Sequence, residues 1–177
     1  AQSKFDSALS VYRKVVALEP GNTSIVSRLG NTLYALGHFE KAVQTYRKLV
    51  RMDPKNSLAY ANLGSALYAQ DRWKEAIQTY RKALKISPDN AAILFNLAVA
   101  QNAQGSTDEA IQTYRQAIQL EPDLVDAYRE LAEIYETSGR VEEAIQAYRR
   151  ILLLTPEDSG IRARLQALLQ SPESSPN

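Results

Sequence analysis

The sequence predicts an all-α solenoid of stacked antiparallel helix pairs, and three series of residues predict it. Pro20, Pro54, Pro88, Pro122 and Pro156 recur every 34 residues; Tyr12, Tyr46, Tyr80, Tyr114 and Tyr148 keep the same step, as do Ala8, Ala42, Ala76, Ala110 and Ala144. A fixed period of this length marks a chain assembled from copies of one small structural unit. With each proline placed at position 32, the chain divides into a partial unit 1–22 and four full units, 23–56, 57–90, 91–124 and 125–158. A further helix, 159–170, and a tail, 171–177, complete it.

The partial unit enters the frame at position 13, so it supplies a second helix, Phe5–Leu18, without its first-helix partner. The expectation is a fragment of a longer protein. The bare apolar face of Phe5, Leu9, Val15 and Val16 makes a second copy of the chain, in a homodimer, the candidate partner for that helix.

In each full unit the first helix places apolar residues at positions 4, 7 and 11 around a small position 8, as Tyr60, Leu63, Leu67 and Gly64 do in the second. Gly30, Gly64, Ala98 and Ala132 hold position 8 and allow close helix packing. Position 15 carries Gly37, Asp71, Gly105 and Gly139, suited to a left-handed residue that ends the first helix; Asp71 adopts that conformation at some cost. A second helix is expected from about position 18, with Glu40, Glu75, Asp108, Glu109, Glu142 and Glu143 in its first turn, where the helix dipole favours acids. The proline stops it. One such hairpin cannot bury its own apolar face, so neighbours must stack.

The segment 159–170, SGIRARLQALLQ, sets Ile161, Leu165, Leu168 and Leu169 on one side and reads as a lid on the last unit. The tail SPESSPN is rich in Pro and Ser and is expected to be disordered.

A small residue at 8, Gly at 15, Ala at 20, Tyr at 24 and Pro at 32 in a 34-residue frame resemble the tetratricopeptide repeat, over Ser3 to Asp158. The resemblance implies a right-handed α-α superhelix closed by a C-terminal capping helix, with partners held in a concave groove. Departures are Asp71 at position 15, Gln101 at position 11, and Val15, Leu49 and Ile151 at the usually small position 27.

Composition narrows the function. Hydrophobic residues are 45% and charged residues 23%, values of an ordinary folded domain. With 21 basic and 20 acidic side chains there is no overall field to attract nucleic acid or an anionic membrane. The absence of Cys removes disulfides, thiolate metal sites and thiol nucleophiles, and His38 is the single histidine. No phosphate loop, paired acid and base or nucleophile elbow is present. The reading is therefore a non-enzyme without cofactor or metal. No apolar run is long enough to insert in a membrane, and Ala1–Ser10 lacks the features of a signal peptide. Cytoplasm is the default compartment, with a removed signal or anchor left open.

In the related family, positions 2, 6, 9 and 13 of the first helix, flanked by 5 and 12, look into the groove. Here they are Ser24, Ser27, Arg28, Asn31, Tyr34 and Ala35; then Leu58, Ala61, Asn62, Ser65, Tyr68 and Ala69; then Ala92, Phe95, Asn96, Val99, Asn102 and Ala103. Asn31, Asn62 and Asn96 offer amides that can grip the backbone of an extended peptide. The alternative is that Asn is merely common at position 6. Tyr34, Tyr68 and Phe95 either anchor apolar side chains of a ligand or pack against the neighbouring helix. In the last unit Asp126, Arg129, Glu130, Glu133 and Glu136 turn the groove acidic, which favours a basic stretch of ligand or else is only a solvated face. Another use of the family, a clamp on a C-terminal carboxylate, is rejected: Asn31 and Asn62 match it, but Ser27, Ala92 and Asn96 replace its cations.

Arg13, Arg47, Arg81, Arg115 and Arg149 recur at position 25, beside Lys14, Lys48, Lys82 and Arg150. Phosphate binding is the sharp reading of this stripe; long polar residues on an exposed helix face is the favoured one. Trp73 stands where Phe5 and Phe39 stand in neighbouring units and reads as packing.

The functional expectation is a scaffold that binds an extended peptide or partner protein, of assembly-factor or co-chaperone type. The alternative is a substrate-docking or regulatory segment of a multidomain enzyme whose catalytic domain lies elsewhere.

Overall fold

A computed structural model describes residues 11–12, 14–15, 17–19 and 21–170. Its helices are α1 (Thr23–Ala35), α2 (Phe39–Met52), α3 (Ser57–Tyr68), α4 (Trp73–Ile86), α5 (Ala91–Ala103), α6 (Thr107–Leu120), α7 (Val125–Thr137), α8 (Val141–Leu154) and α9 (Ser159–Gln170). Ahead of α1, residues 11–12, 14–15 and 17–18 are helical, and Tyr12 packs against the core. Phe5, Leu9, Arg13 and Val16, and the expected tail 171–177, lie outside the described residues.

Each full unit contributes one helix pair, bounded by local chemistry. The first helices of the first three units start from an asparagine at position 34 of the preceding unit. The side chains of Asn22, Asn56 and Asn90 accept from the backbone N–H of Ile25, Ala59 and Ile93 at 3.2, 2.9 and 3.0 Å. This satisfies one of the amides that every helix start leaves open. Leu124 holds that place before α7 and makes no such bond. Asp158 restores it before the last helix, accepting from Ile161 N–H at 3.0 Å.

The first helices end as the sequence predicts. Gly37, Gly105 and Gly139 sit at φ +73°, +89° and +69°, and Asp71 joins them at φ 58°. That left-handed residue lets the next N–H turn back: His38 to Leu33 O (2.8 Å), Arg72 to Leu67 O (3.1 Å), Ser106 to Gln101 O (2.9 Å) and Arg140 to Tyr135 O (2.8 Å).

Each helix packs on its neighbours in sequence, and first helices also touch first helices, α1 with α3 and α3 with α5. The first helices therefore form the inner side of the solenoid and the second helices the outer. Tyr46, Tyr80, Tyr114 and Tyr148 are the largest fully buried side chains; burying each ring contributes roughly 2–3 kcal/mol of apolar transfer. Position 8 is their seat. A Cβ on Gly30 would lie 2.5 Å from Tyr46 Cε1, and one on Gly64 2.6 Å from Tyr80 Cε1. The core forms two main clusters that meet inside α5, with Leu97 in one and Ala98 in the other. The last helix buries Ile161 and half-buries Leu165 and Leu168 against the second cluster, while Leu169 stays exposed. No described helix is long and apolar enough to cross a membrane.

A polar groove on the first helices

The inner face is built by α1, α3, α5 and α7. Its polar order begins with the buried tyrosines of the second helices, whose hydroxyls pass between first helices to reach groove residues. Tyr46 donates to Asn31 Oδ1 at 2.6 Å. Tyr80 shares a hydrogen bond with Ser65 Oγ at 3.0 Å. Tyr114 donates to Glu130 Oε2 at 3.3 Å and Tyr148 to Glu136 Oε2 at 2.5 Å. Burial pushes all four phenols up, Tyr80 and Tyr148 to about 12, so they remain protonated donors at neutral pH.

These partnerships organise the residues the sequence singled out. Asn62 Nδ2 also donates to Asn31 Oδ1, at 3.3 Å, so the first two units are joined by a chain from Tyr46 through Asn31 to Asn62. It does not continue as a row of like amides: Asn96 is half-buried and makes no such bond among the described residues. Arg28 is exposed beside Ser24, Ser27 and Asn31 in a cleft of about 440 Å³ that also includes Thr23 and Asn56. Asn102 accepts from Thr107 Oγ1 at 3.5 Å.

The aromatic residues divide between the two expected roles. Tyr34 is 37% exposed and stands edge-on to Phe39 with ring centroids 5.3 Å apart. Tyr68 is half-buried against the first core cluster. Phe95 is half-buried and tilted against Tyr114 at 5.7 Å, which is the packing role. Leu58, 64% exposed at position 2, is an apolar surface residue on the same helix as Asn62.

Toward α9 the groove becomes acidic. Glu130 is half-buried; burial, despite the Tyr114 hydrogen bond, and the nearby Glu133 and Asp126 hold its carboxyl above the usual range. Glu136 has Arg164 at 3.7 Å in addition to Tyr148. Arg129 is engaged by Asp158. Among the described residues Asp126, Glu130 and Glu133 have no ion-pair partner.

Sequence reasoning missed the tyrosine hydroxyls as groove groups. The available signal was that position 24 is Tyr rather than Phe in every unit, a hydroxyl kept where a ring alone would fill the space. The outer stripe, favoured as an exposed polar helix face, carries ion pairs that sequence reasoning did not place: Arg47 with Glu75 at 3.2 Å and Arg81 with Glu109 at 3.1 Å. Those two arginines bridge successive second helices.

Comparison with known proteins agrees with this geometry. The family description of the tetratricopeptide repeat matches residues 27–91, and a second description of the same repeat matches 67–118 and 102–169. Curated protein sequences yield no match. Among solved structures, MamA is similar at 27% identity and a TM-score of 0.82, over 90% of this chain and 93% of that one. TTC0263, a thermophilic repeat protein of Thermus thermophilus, is similar at 25% identity and a TM-score of 0.74, over 97% and 93%. YrrB, described as a TPR protein with an unusual peptide-binding site, shares the fold at 17% identity and a TM-score of 0.72, over 89% and 81%.

Proposed function

Since the chain belongs to the tetratricopeptide-repeat family, a fold of protein-interaction scaffolds, we propose that it holds an extended segment of a partner protein along the first-helix groove. The segment's neutral part lies over α1 and α3, and its basic residues lie over α7. The observation that carries this reading is the change in what the tyrosine hydroxyls meet. Asn31 and Ser65 at one end are neutral groups with hydrogen-bonding capacity left over; Glu130 and Glu136 at the other are carboxylates. Amides and hydroxyls can match a peptide backbone without reading its sequence, whereas carboxylates without an ion-pair partner, here Glu130 with Asp126 and Glu133 near it, select charge. The scaffold is of the kind that assembles or escorts other proteins.

The test is binding of extended peptides that carry a Lys/Arg stretch at one end, by fluorescence anisotropy. Glu130→Gln with Glu133→Gln should weaken the basic peptide about tenfold and flatten its salt dependence. Asn62→Ala with Asn96→Ala should weaken basic and neutral peptides alike, by a few-fold. Equal affinity of all variants for every peptide would sink the groove assignment. Since burial raises the Glu130 carboxyl, its negative charge is withdrawn as pH falls through a value above the usual carboxylate range. Affinity for the basic peptide should decline over that window.

A further inference from the structure

The outer face changes character along the solenoid. Arg47 of α2 pairs with Glu75 of α4, and Arg81 of α4 with Glu109 of α6, which makes a ladder of ion pairs. The next rung, Arg115 of α6 to Glu143 of α8, is open, and Glu143 is held by Arg140 at 2.5 Å. Charge changes at the same place. On α2 and α4 eight of the ten charged side chains are basic, whereas on α6 and α8 only three of seven are. The near-equal totals of the whole sequence hide this patch, because most of the balancing acids fall in residues 91–158.

Both acids of α2 and α4 are already engaged. Glu75 accepts from Arg72 at 2.8 Å and from Arg47 at 3.2 Å, and Glu40 lies 3.6 Å from Arg72. Six cations of these two helices, Lys41, Lys48, Arg51, Lys74, Lys82 and Lys85, have no ion-pair partner among the described residues. Apolar side chains lie beneath them. Between α2 and α4 a cleft of about 320 Å³ has Val50, Tyr60, Leu63 and Leu67 in its lining, with Arg51 and Lys82 beside them and Glu75 as its single acid. One unit earlier a cleft of about 300 Å³ sets Lys41 and Lys48 around Val26, Leu29 and Leu33, with no acid among the described residues that line it. The cleft of about 460 Å³ between α6 and α8 has the opposite balance, one arginine, Arg115, against Glu142 and Glu143. On α6 the frame positions of Lys82 and Arg51 are the neutral Gln116 and Gln119.

We propose that the outer face of α2 and α4, opposite the groove, is a second docking site for an acidic amphipathic helix of a partner protein. That helix sets a large apolar side chain in the cleft between α2 and α4 and carboxylates three or four residues to either side, toward Arg51 and Lys82. Charge complementarity selects the sign of the partner, since the patch holds six unmatched cations and no unmatched acid. The apolar lining selects its class. A lipid headgroup or a nucleic-acid backbone supplies anions without a side chain to fill the cleft. No large apolar side chain is exposed on α2, and on α4 only the last residue, Ile86, is, so the face has little to insert in a bilayer.

The test uses the full chain and three labelled helical peptides: a Leu/Trp ridge flanked by Glu, the same ridge flanked by Gln, and an Ala ridge flanked by Glu. The first should bind about tenfold tighter than either of the others, and its affinity should fall as salt is raised. Arg51→Gln with Lys82→Gln installs the residues that α6 carries in the same frame positions, which preserves folding. It should weaken the first peptide about tenfold and leave the Gln-flanked one unchanged. Arg115→Gln, and the groove variant Asn62→Ala with Asn96→Ala, should leave the first peptide unaffected, which separates this site from the other cleft and from the groove. Equal binding of the Glu- and Gln-flanked peptides, equal binding of the Ala-ridge peptide, or no effect of the Arg51 and Lys82 substitutions would each overturn the proposal. Displacement of the first peptide by phosphatidylserine vesicles or by duplex DNA would assign the patch to a membrane or a nucleic acid and overturn it equally.

Discussion

Units 23–90 and units 91–158 use one frame and fill it differently. In the first pair, glycine at position 8 seats the tyrosine ring, and the tyrosine hydroxyls meet the neutral Asn31 and Ser65. In the second pair, Ala98 and Ala132 take the seat, and the hydroxyls meet Glu130 and Glu136. The ladder of the outer face is complete across the first three second helices and open at the fourth. The difference teaches that the period is set by backbone turns and ring burial, which tolerate little variation. Charge on the two faces is set by side chains the period does not constrain. Charge on the inner face gathers toward α9, with Glu130, Glu133 and Glu136.

Exchanging the two seats gives the largest expected effect. Gly64→Ala brings a methyl to 2.6 Å from Tyr80 Cε1, and Tyr80 is 2% exposed with no open side to move into. Overpacking of this kind costs about 1–3 kcal/mol, against a gain of about 1 kcal/mol in helix propensity, so net destabilisation is expected in urea unfolding. The reverse exchange, Ala98→Gly, should cost about 1 kcal/mol through propensity and about 1 kcal/mol more through loss of the buried Ala98 methyl. If Gly64→Ala instead stabilises the chain, the seats are interchangeable and the halves differ only in charge.

That the halves share a fold was legible in the sequence because proline, glycine and alanine act locally. Pro54 ends a helix and Gly37 permits a left-handed turn whatever lies beyond. Even Asp71, the irregular member of its series, takes the conformation its position requires. The groove was legible only as a set of residues. That Asn31 serves both Tyr46 and Asn62, while Asn96 joins neither, depends on how one unit rotates on the next, which a one-dimensional period does not contain. Gln101 is similar: position 11 announced a departure from the pattern. Only the packed structure shows the side chain buried, with Nε2 donating to Glu109 at 3.1 Å and Oε1 unpaired. The open fourth rung was beyond reach for the same reason: Arg115 and Glu143 are both present at the right spacing, but Glu143 is bonded by Arg140, and both arginines lie over the Tyr135 ring of α7.

Capping gives an intermediate effect and again distinguishes the last unit. Asn90→Ala removes the acceptor for Ile93 N–H and should cost about 1 kcal/mol. Leu124→Asn would give α7 the cap that the other full units have, but Leu124 is half-buried against the core, and its apolar contact is lost in the exchange. The two terms are of similar size, so the stability change should be within about 0.5 kcal/mol of zero. A gain as large as the loss in Asn90→Ala would mean that Leu124 contributes no packing.

The smallest effect tests the ladder itself. Arg81 and Glu109 pair with side chains 56% and 59% exposed, and Arg47 and Glu75 with 44% and 47% exposed. Solvent and salt screen such pairs, so each rung should contribute well under 1 kcal/mol. Single substitutions would mix this with helix propensity, and double-mutant cycles remove that term. A cycle on Arg81 and Glu109 should return a few tenths of a kcal/mol that vanish in high salt, and a cycle on Arg115 and Glu143 should return less at any salt concentration. Coupling of equal size in both cycles would mean that the fourth rung closes in solution. The cleft between α6 and α8, which Arg115 and Glu143 both line, would then be strapped by an Arg–Glu pair as the one between α2 and α4 is by Arg47 and Glu75, and the outer faces of the two halves would no longer differ in their ladder.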